Sequence, residues 1–350
     1  MLIFASFKYC FKFRKRGISL KVLFIGGTGK ISSAVSALAV EKGFDLYLLN
    51  RGITDRPIPA GANVIKADMD DPSSVRAALG DLKFDAVVNW IAYTEDHIER
   101  DIELFRDRTN QYIFISSASA YQSPPVNLPV TESTPLDNPF WKYSQDKIAC
   151  ENRLMRAYAE EKFPFTVVRP SHTYDRTMLP FQGGWTVIDR MRKGKKILVH
   201  GDGTSIWVFT HHTDFAKGFV GLLGNNRAIG EAFHITSDEL LTWNQLHEIA
   251  GRAAGALPLD IVHAPSDLIN AYDPNWGVGL LGDKAASMIF DNTKIKRISP
   301  EFMCTVPYEQ GAQEMVEWYD ADPARQVIDE EYNAIADRII AAQESAYEGV

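Results

Sequence analysis

Cysteine is scarce: Cys10, Cys150 and Cys304 are the only three in 350 residues. An odd number at wide spacing gives neither a disulfide framework nor a zinc-ligand pattern, so a reducing cytoplasm is the expected location. Long apolar runs are missing too. No stretch approaches the roughly 20 residues needed to cross a bilayer, so no membrane span is expected. Acidic residues are missing from the first 21 positions, which carry Lys8, Lys12, Arg14, Lys15, Arg16 and Lys21. The formal net charge of −8 therefore divides into +6 for that head and −14 for the rest. An acidic body argues against nucleic-acid binding as the main activity. In the head, the charges follow the apolar residues and no small-residue cleavage site appears, unlike a secretory signal. A membrane-surface or targeting role stays open, but residues 1–20 read best as a dispensable basic extension. No internal repeat or low-complexity tract is present.

What is there is an ordinary globular composition, 45% hydrophobic and 23% charged, long enough for two lobes or two domains. Its most informative stretch is residues 22–51. Val22–Ile25 suits a buried parallel strand, and Gly26, Gly27 and Gly29 follow at once. Ile31, Ala34, Val35, Leu38 and Ala39 then recur at helical spacing, Gly43 closes the helix, and Leu46–Leu49 reads as a second strand. Strand, glycine turn and helix together make a phosphate cradle: the turn lets backbone approach a pyrophosphate, and the helix start offers unpaired N–H groups. Ser32 stands where a third glycine is usual.

Strand–helix alternation continues. Ala62–Lys66, Asp85–Ile91, Tyr112–Ser116 and Phe165–Arg169 read as strands. Pro72–Leu79 (capped near Asp71), Asp96–Arg106 and Tyr143–Glu161 read as helices. Such repeats predict an α/β fold, a doubly wound parallel sheet with a smaller C-terminal α/β substrate lobe. The expected division is a dinucleotide-binding lobe over 21–175 and a substrate lobe over 176–322, with 205–237 returning to the first lobe. A C-terminal helix is expected over 323–350, where Ile328, Tyr332, Ile335 and Ile339 form an apolar stripe for docking onto the body.

Tyr143 and Lys147, in YSQDK, are four apart and share a helix face. A free tyrosine, with a pKa of about 10, is a poor base. A nearby ammonium would stabilise the phenolate and let Tyr143 exchange a proton with a substrate oxygen. Ser117 lies at the end of the fifth strand, where open α/β sheets bind ligands, and can hydrogen-bond the same oxygen.

With these residues in place the chain resembles the extended short-chain dehydrogenase/reductase family, which includes sugar-nucleotide epimerases and dehydratases. The resemblance runs from about Lys21 to Tyr319. It is carried by GGTGKIS at 26–32, Asp68-Met69, VNWIA at 88–92, SSASAY at 116–121, YSQDK at 143–147, RPSHTYD at 169–175 and GDGTSIWVFTHHTD at 201–214. It implies Ser117, Tyr143 and Lys147 as the catalytic set. For the cofactor it implies Gly26, Thr28, Gly29, Lys30 and Ile31 at the cradle, Asp68 and Met69 near adenine, Ile91 and Ala92 near ribose and nicotinamide, and Pro170 beside the nicotinamide, with Tyr143 and Lys147 also touching it. The family's substrate-binding asparagine appears here as His172, and its pyrophosphate-gripping arginine as Trp207; Ser119 joins them as a substrate contact. An aromatic ring cannot neutralise a diphosphate but can stack on a sugar, so a nucleotide sugar is not expected. Trp207 also reads as a packed strand residue.

After the second strand stand Asn50 and Arg51, with no carboxylate in the usual place to repel a 2′-phosphate. NADP is therefore the expected cofactor, with NAD as the alternative. The expected activity is hydride transfer to or from a carbinol or ketone of a sugar-like small molecule. Two alternatives remain: an epimerase or dehydratase with bound NAD, and an RNA-binding protein like certain atypical chloroplast members, which tend to lack the tyrosine–lysine pair. A homodimer is compatible with the chain. His211, His212 and Asp214 suggest no metal site, because adjacent strand residues point to opposite faces. The acid-rich helix Glu95–Asp107 reads as a solvated face.

Overall fold

The computed structural model describes residues 19–346; most of the basic head, including Cys10, lies outside the described residues. The first half alternates as expected: β1 (Lys21–Ile25), α1 (Ser32–Glu41), β2 (Asp45–Asn50), β3 (Asn63–Lys66), α2 (Pro72–Leu79), β4 (Ala86–Asn89), α3 (Glu95–Phe105), β5 (Tyr112–Ile115), α4 (Lys142–Glu161) and β6 (Phe165–Pro170). The second half holds β7 (His172–Tyr174), α5 (Trp185–Arg192), β8 (Ile197–His200), β9 (Ile206–Trp207), β10 (Phe209–His211), α6 (His212–Val220), β11 (Glu231–Ile235), β12 (Leu241–Thr242), α7 (Trp243–Ala253) and β13 (Ile261–Ala264). Five helices follow: α8 (Ser266–Tyr272), α9 (Pro274–Gly279), α10 (Thr293–Ile298), α11 (Tyr308–Asp320) and α12 (Glu330–Ser345).

Seven parallel strands form the main sheet in the order β11-β6-β5-β4-β1-β2-β3. The chain winds outward both ways from β1, so the switch point falls between β1 and β4, where such sheets open a crevice. Alternate residues of β1 face opposite layers. Val22 and Phe24 pack with Val35, Phe215 and Phe219 of α1 and α6, whereas Leu23 and Ile25 pack with Ile98, Ile102, Cys150 and Leu154 of α3 and α4. Asp71 caps α2, accepting from the Ser73 and Ser74 amides at 3.1 Å. The smaller lobe has its own core around Trp185, Trp243, Tyr308 and Ile339, with the parallel pair β8–β13 and the antiparallel pair β9–β12.

The α12 stripe docks onto β13 and α8 of the smaller lobe. One expectation is corrected. α3 is not merely a solvated face: Asp101 is fully buried, where it accepts from Tyr112 Oη at 2.6 Å and from Asn89, with Arg100 at 3.2 Å. A charge count along the helix does not reveal which acid points inward.

Candidate active site

The glycine turn is built for close approach. Gly26 has φ +99°, and a Cβ there would lie 2.9 Å from the Ile91 side chain. At Gly27 a Cβ would lie 2.5 Å from Leu48. Ser32 replaces the third glycine without loss of packing: it is buried, and its hydroxyl accepts from the Gly29 amide at 2.8 Å. Ser36 donates to the Gly27 carbonyl at 2.7 Å. No side chain caps the start of α1, so its first amides stay available to an anion. The turn therefore fits a dinucleotide pyrophosphate.

A cavity of about 430 Å³ opens over the ends of β2 and β3. Gly26, Thr28, Asn50, Arg51, Asp68, Met69 and Ile91 all line it, joined by Arg56 and Arg100. The Arg51 guanidinium is more than half exposed and stands 3.9 Å from the Asp68 carboxylate. No acid follows β2 directly, as expected, but the loop after β3 brings the Asp68 carboxylate beside Arg51. Lys30 faces away, into a neighbouring cavity with Gly29, Arg56, His211 and His212.

Across the turn lies a cleft of about 350 Å³, which gathers Ile31, Ser117, Ser119, Tyr143, Lys147, Pro170, His172 and Trp207 from both lobes. Lys147 Nζ donates to the carbonyls of Ala92 at 2.7 Å and Ile115 at 2.8 Å, which ties α4 to the ends of β4 and β5. Burial pushes its pKa down to about 8. Tyr143 is pushed up to about 12, chiefly by burial, with Tyr93 and Asp283 adding to the rise and the Ser117 hydroxyl opposing it. The expected lowering of Tyr143 is absent. Lys147 spends its donors on backbone and sits 5.6 Å from the centre of the Tyr143 ring. In this arrangement Tyr143 is a neutral phenol, an acid rather than a base.

A hydroxyl chain aligns Ser117: Ser144 Oγ donates to Ser119 Oγ at 2.8 Å, and Ser119 Oγ lies 2.9 Å from Ser117 Oγ. Ser119 is thus engaged with two serines and orients Ser117. The His172 ring lies against Phe209, with centroids 4.6 Å apart, and burial pushes its pKa down to about 3. Trp207 is both a packed strand residue, 4% exposed and stacked on Trp243, and a cleft wall. His172 Nε2, Trp207 Nε1 and Trp90 Nε1 are buried without a hydrogen-bond partner, and all three residues line the cleft. Buried polar atoms are normally paired; further orphans, Tyr174 Oη, Trp243 Nε1 and Tyr308 Oη, belong to core residues of the smaller lobe.

His211 and His212 do not diverge as expected. Strand alternation stops at His211 and α6 begins at His212, so the rings lie 4.8 Å apart. Among the described residues no group of three His, Cys, Asp or Glu could hold a metal. Sequence reading missed Asn138, whose side chain donates to the carbonyls of Ser119 at 2.8 Å and Gly282 at 2.6 Å and so fastens the serine loop to the smaller lobe. It also missed Asp283 and Lys284, which line the cleft. The glycines at 277, 279 and 282 before them were the available signal.

Residues 22–236 match the NAD dependent epimerase/dehydratase family. The chain belongs to that family. It is an enzyme of the NAD-dependent reductase, epimerase and dehydratase kind. It is 23% identical over 296 residues to a 2′-dehydrokanamycin reductase of Streptomyces kanamyceticus, covering 81% of this chain and 80% of the relative. It is 26% identical over 256 residues to a chloroplast stem-loop binding protein of Arabidopsis thaliana, covering 69% and 65%. An epimerase structure from Methanothermobacter thermautotrophicus has the same fold, with TM-score 0.71, 15% identity and coverage of 88% and 94%. A dTDP-glucose 4,6-dehydratase structure from Bacillus anthracis, in complex with NAD, gives TM-score 0.67 at 20% identity, covering 87% and 98%. No helix among the described residues is long and apolar enough to cross a membrane.

Proposed function

We propose that this family member reduces a ketone of a sugar-like small molecule that is not a nucleotide sugar, or oxidises the corresponding carbinol, with NADP(H) as the preferred cofactor. The observation that carries the reading is the cleft itself, which brings Ser117, a neutral Tyr143 and Lys147 together with His172 and Trp207. When bound, the nicotinamide supplies or accepts the hydride. Tyr143 hands its phenolic proton to the oxygen of the carbon being reduced; burial keeps the phenol protonated for that step while making it a weaker acid than a free tyrosine. Ser117, aligned by Ser119 and Ser144, donates to the same oxygen. Lys147 braces α4 against the floor of the cleft and keeps positive potential beneath the Tyr143 ring; we assign it the nicotinamide ribose as well. The aromatic surroundings of Trp207 support exclusion of a diphosphate, since Lys284, a cation that lines the same cleft, is already paired with Asp283 at 3.5 Å.

The cofactor preference rests on Arg51. The Asp68 carboxylate at 3.9 Å favours the second reading, a tightly held NAD and an epimerase or dehydratase cycle. One experiment separates them: identify the dinucleotide that copurifies, then follow its absorbance while a panel of sugar ketones and UDP-sugars is added. NADPH oxidation by a non-nucleotide ketone supports the proposal. Retained NAD with UDP-sugar turnover defeats it.

A further inference from the structure

We propose that Asp283 contacts the substrate: its carboxyl accepts a hydrogen bond from a hydroxyl on the carbon next to the one that exchanges hydride, and so selects hydroxylated ketones. The proposal rests on the reading of the cleft as a hydride-transfer site.

Asp283 lies in a π-helical turn, Leu280–Lys284, that follows α9. Such turns re-aim side chains and recur at functional sites. This one aims Asp283 into the cleft that holds Ser117, Tyr143 and His172, and among the described residues it is the one acid on the cleft wall. The turn is clamped from both sides. Asn138 ties the Gly282 carbonyl to the Ser119 carbonyl. His200 Nε2 and Ser205 Oγ hold the Lys284 carbonyl at 3.2 and 3.3 Å. A Cβ at position 282 would lie 3.0 Å from Trp141 Cβ, so glycine is what lets the turn come this close.

The carboxyl itself is poorly satisfied. Its side chain is 13% exposed, and its polar partner among the described residues is Lys284 Nζ at 3.5 Å. Burial pushes its pKa up to about 6, against the pull of Lys284. An ionised carboxylate can accept about four hydrogen bonds, and leaving those sites empty in a buried cleft is unfavourable. A ligand donor relieves this. Lys284 already balances the charge, so the complementary donor is a neutral hydroxyl rather than an ammonium, and an anionic group would be repelled. Asp283 and Tyr143 line the same cleft, so the hydroxyl recognised by the carboxyl belongs to the same small substrate as the reacting oxygen.

The test uses the full chain with its bound dinucleotide and two probes, 2-hydroxycyclohexanone and cyclohexanone. Binding is read from quenching of the cleft tryptophans and reduction from cofactor absorbance. The wild type is expected to favour the hydroxylated ketone by about tenfold or more, since a site built around a substrate hydroxyl discriminates against its absence. Asp283→Ala should bring the ratio near one, and Asp283→Val should do the same if Ala misfolds. No discrimination by the wild type, an unchanged ratio in the folded variants, or no binding of either probe overturns the proposal. Asp283-dependent discrimination in binding without cofactor oxidation leaves the proposal standing and removes the hydride-transfer reading instead. Reduction of both probes at equal efficiency does the reverse.

Discussion

The cavity at Arg51 and the cleft at Tyr143 flank the same glycine turn, yet they are built on opposite principles. The first is the larger and is lined by arginines and aspartates, of which Arg51 and Asp68 are both about half exposed. The second is walled by Trp90, Trp141 and Trp207 and holds buried groups displaced far from their usual pKa values. Charges in the first are screened by water and individually weak. Groups in the second act in a low-dielectric setting, where each interaction is stronger and each omission more expensive. Cofactor choice should therefore be easy to shift by substitution, and the chemistry hard to preserve.

Substitutions that remove ionic partners should break this contrast if it is wrong. Beneath the cleft, Arg169 and Glu151 form a pair at 2.6 Å with side chains 6% and 3% exposed, and Ser116 donates to the same Glu151 at 2.5 Å. Glu151→Ala leaves Arg169 charged and buried, and should lower unfolding free energy by about 3–5 kcal/mol. The matching surface change, Asp68→Ala, should cost under about 1 kcal/mol. Denaturant titration of both variants checks the comparison.

Next in size is Lys147→Ala. Two buried carbonyls, Ala92 and Ile115, lose their donor, for an expected destabilisation of about 1–3 kcal/mol. Calorimetric cofactor binding should weaken and turnover should fall with it. The same lysine has a pH signature. Its folded pKa lies near 8 against 10.5 for the free side chain, so between those values the unfolded chain binds more protons. Stability contributed at this site should rise with pH across that window and should be lost in Lys147→Met. The difference between the two stability–pH curves is the measurement.

The smallest effect is expected at Arg51. Arg51→Ala should reduce the NADP(H) over NAD(H) preference by about tenfold or less, because the guanidinium is exposed and shared with Asp68. Dissociation constants for both dinucleotides decide it.

The sheet was legible because β1, β4, β5 and β6 are short apolar runs bounded by polar or turn-forming residues and alternate with helical patterns. The cradle was legible because its glycines sit where a side chain would collide. The smaller lobe was not: β7, β9, β10 and β12 have two or three residues each, too few to show a period. The site residues Ser117, Tyr143 and His172 do meet in one cleft, but the protonation of Tyr143 depends on how deep it lies and on what Lys147 binds, neither of which spacing encodes. Asp283 and Asn138 act through a contact between segments about 145 residues apart, which a single chain read in order does not display. Asp68 was expected at the cofactor, but its pairing with Arg51 depends on how the β2 and β3 ends sit side by side.

The central claim is that Tyr143 donates the proton in a cleft that binds cofactor independently of that phenol. Tyr143→Phe removes the transferable proton and keeps the ring, so one pair of numbers tests it: turnover and cofactor dissociation constant in the same variant. The account predicts a loss of turnover of about 10²–10⁴-fold with the dissociation constant within about threefold of wild type. Near-normal turnover in Tyr143→Phe would contradict it.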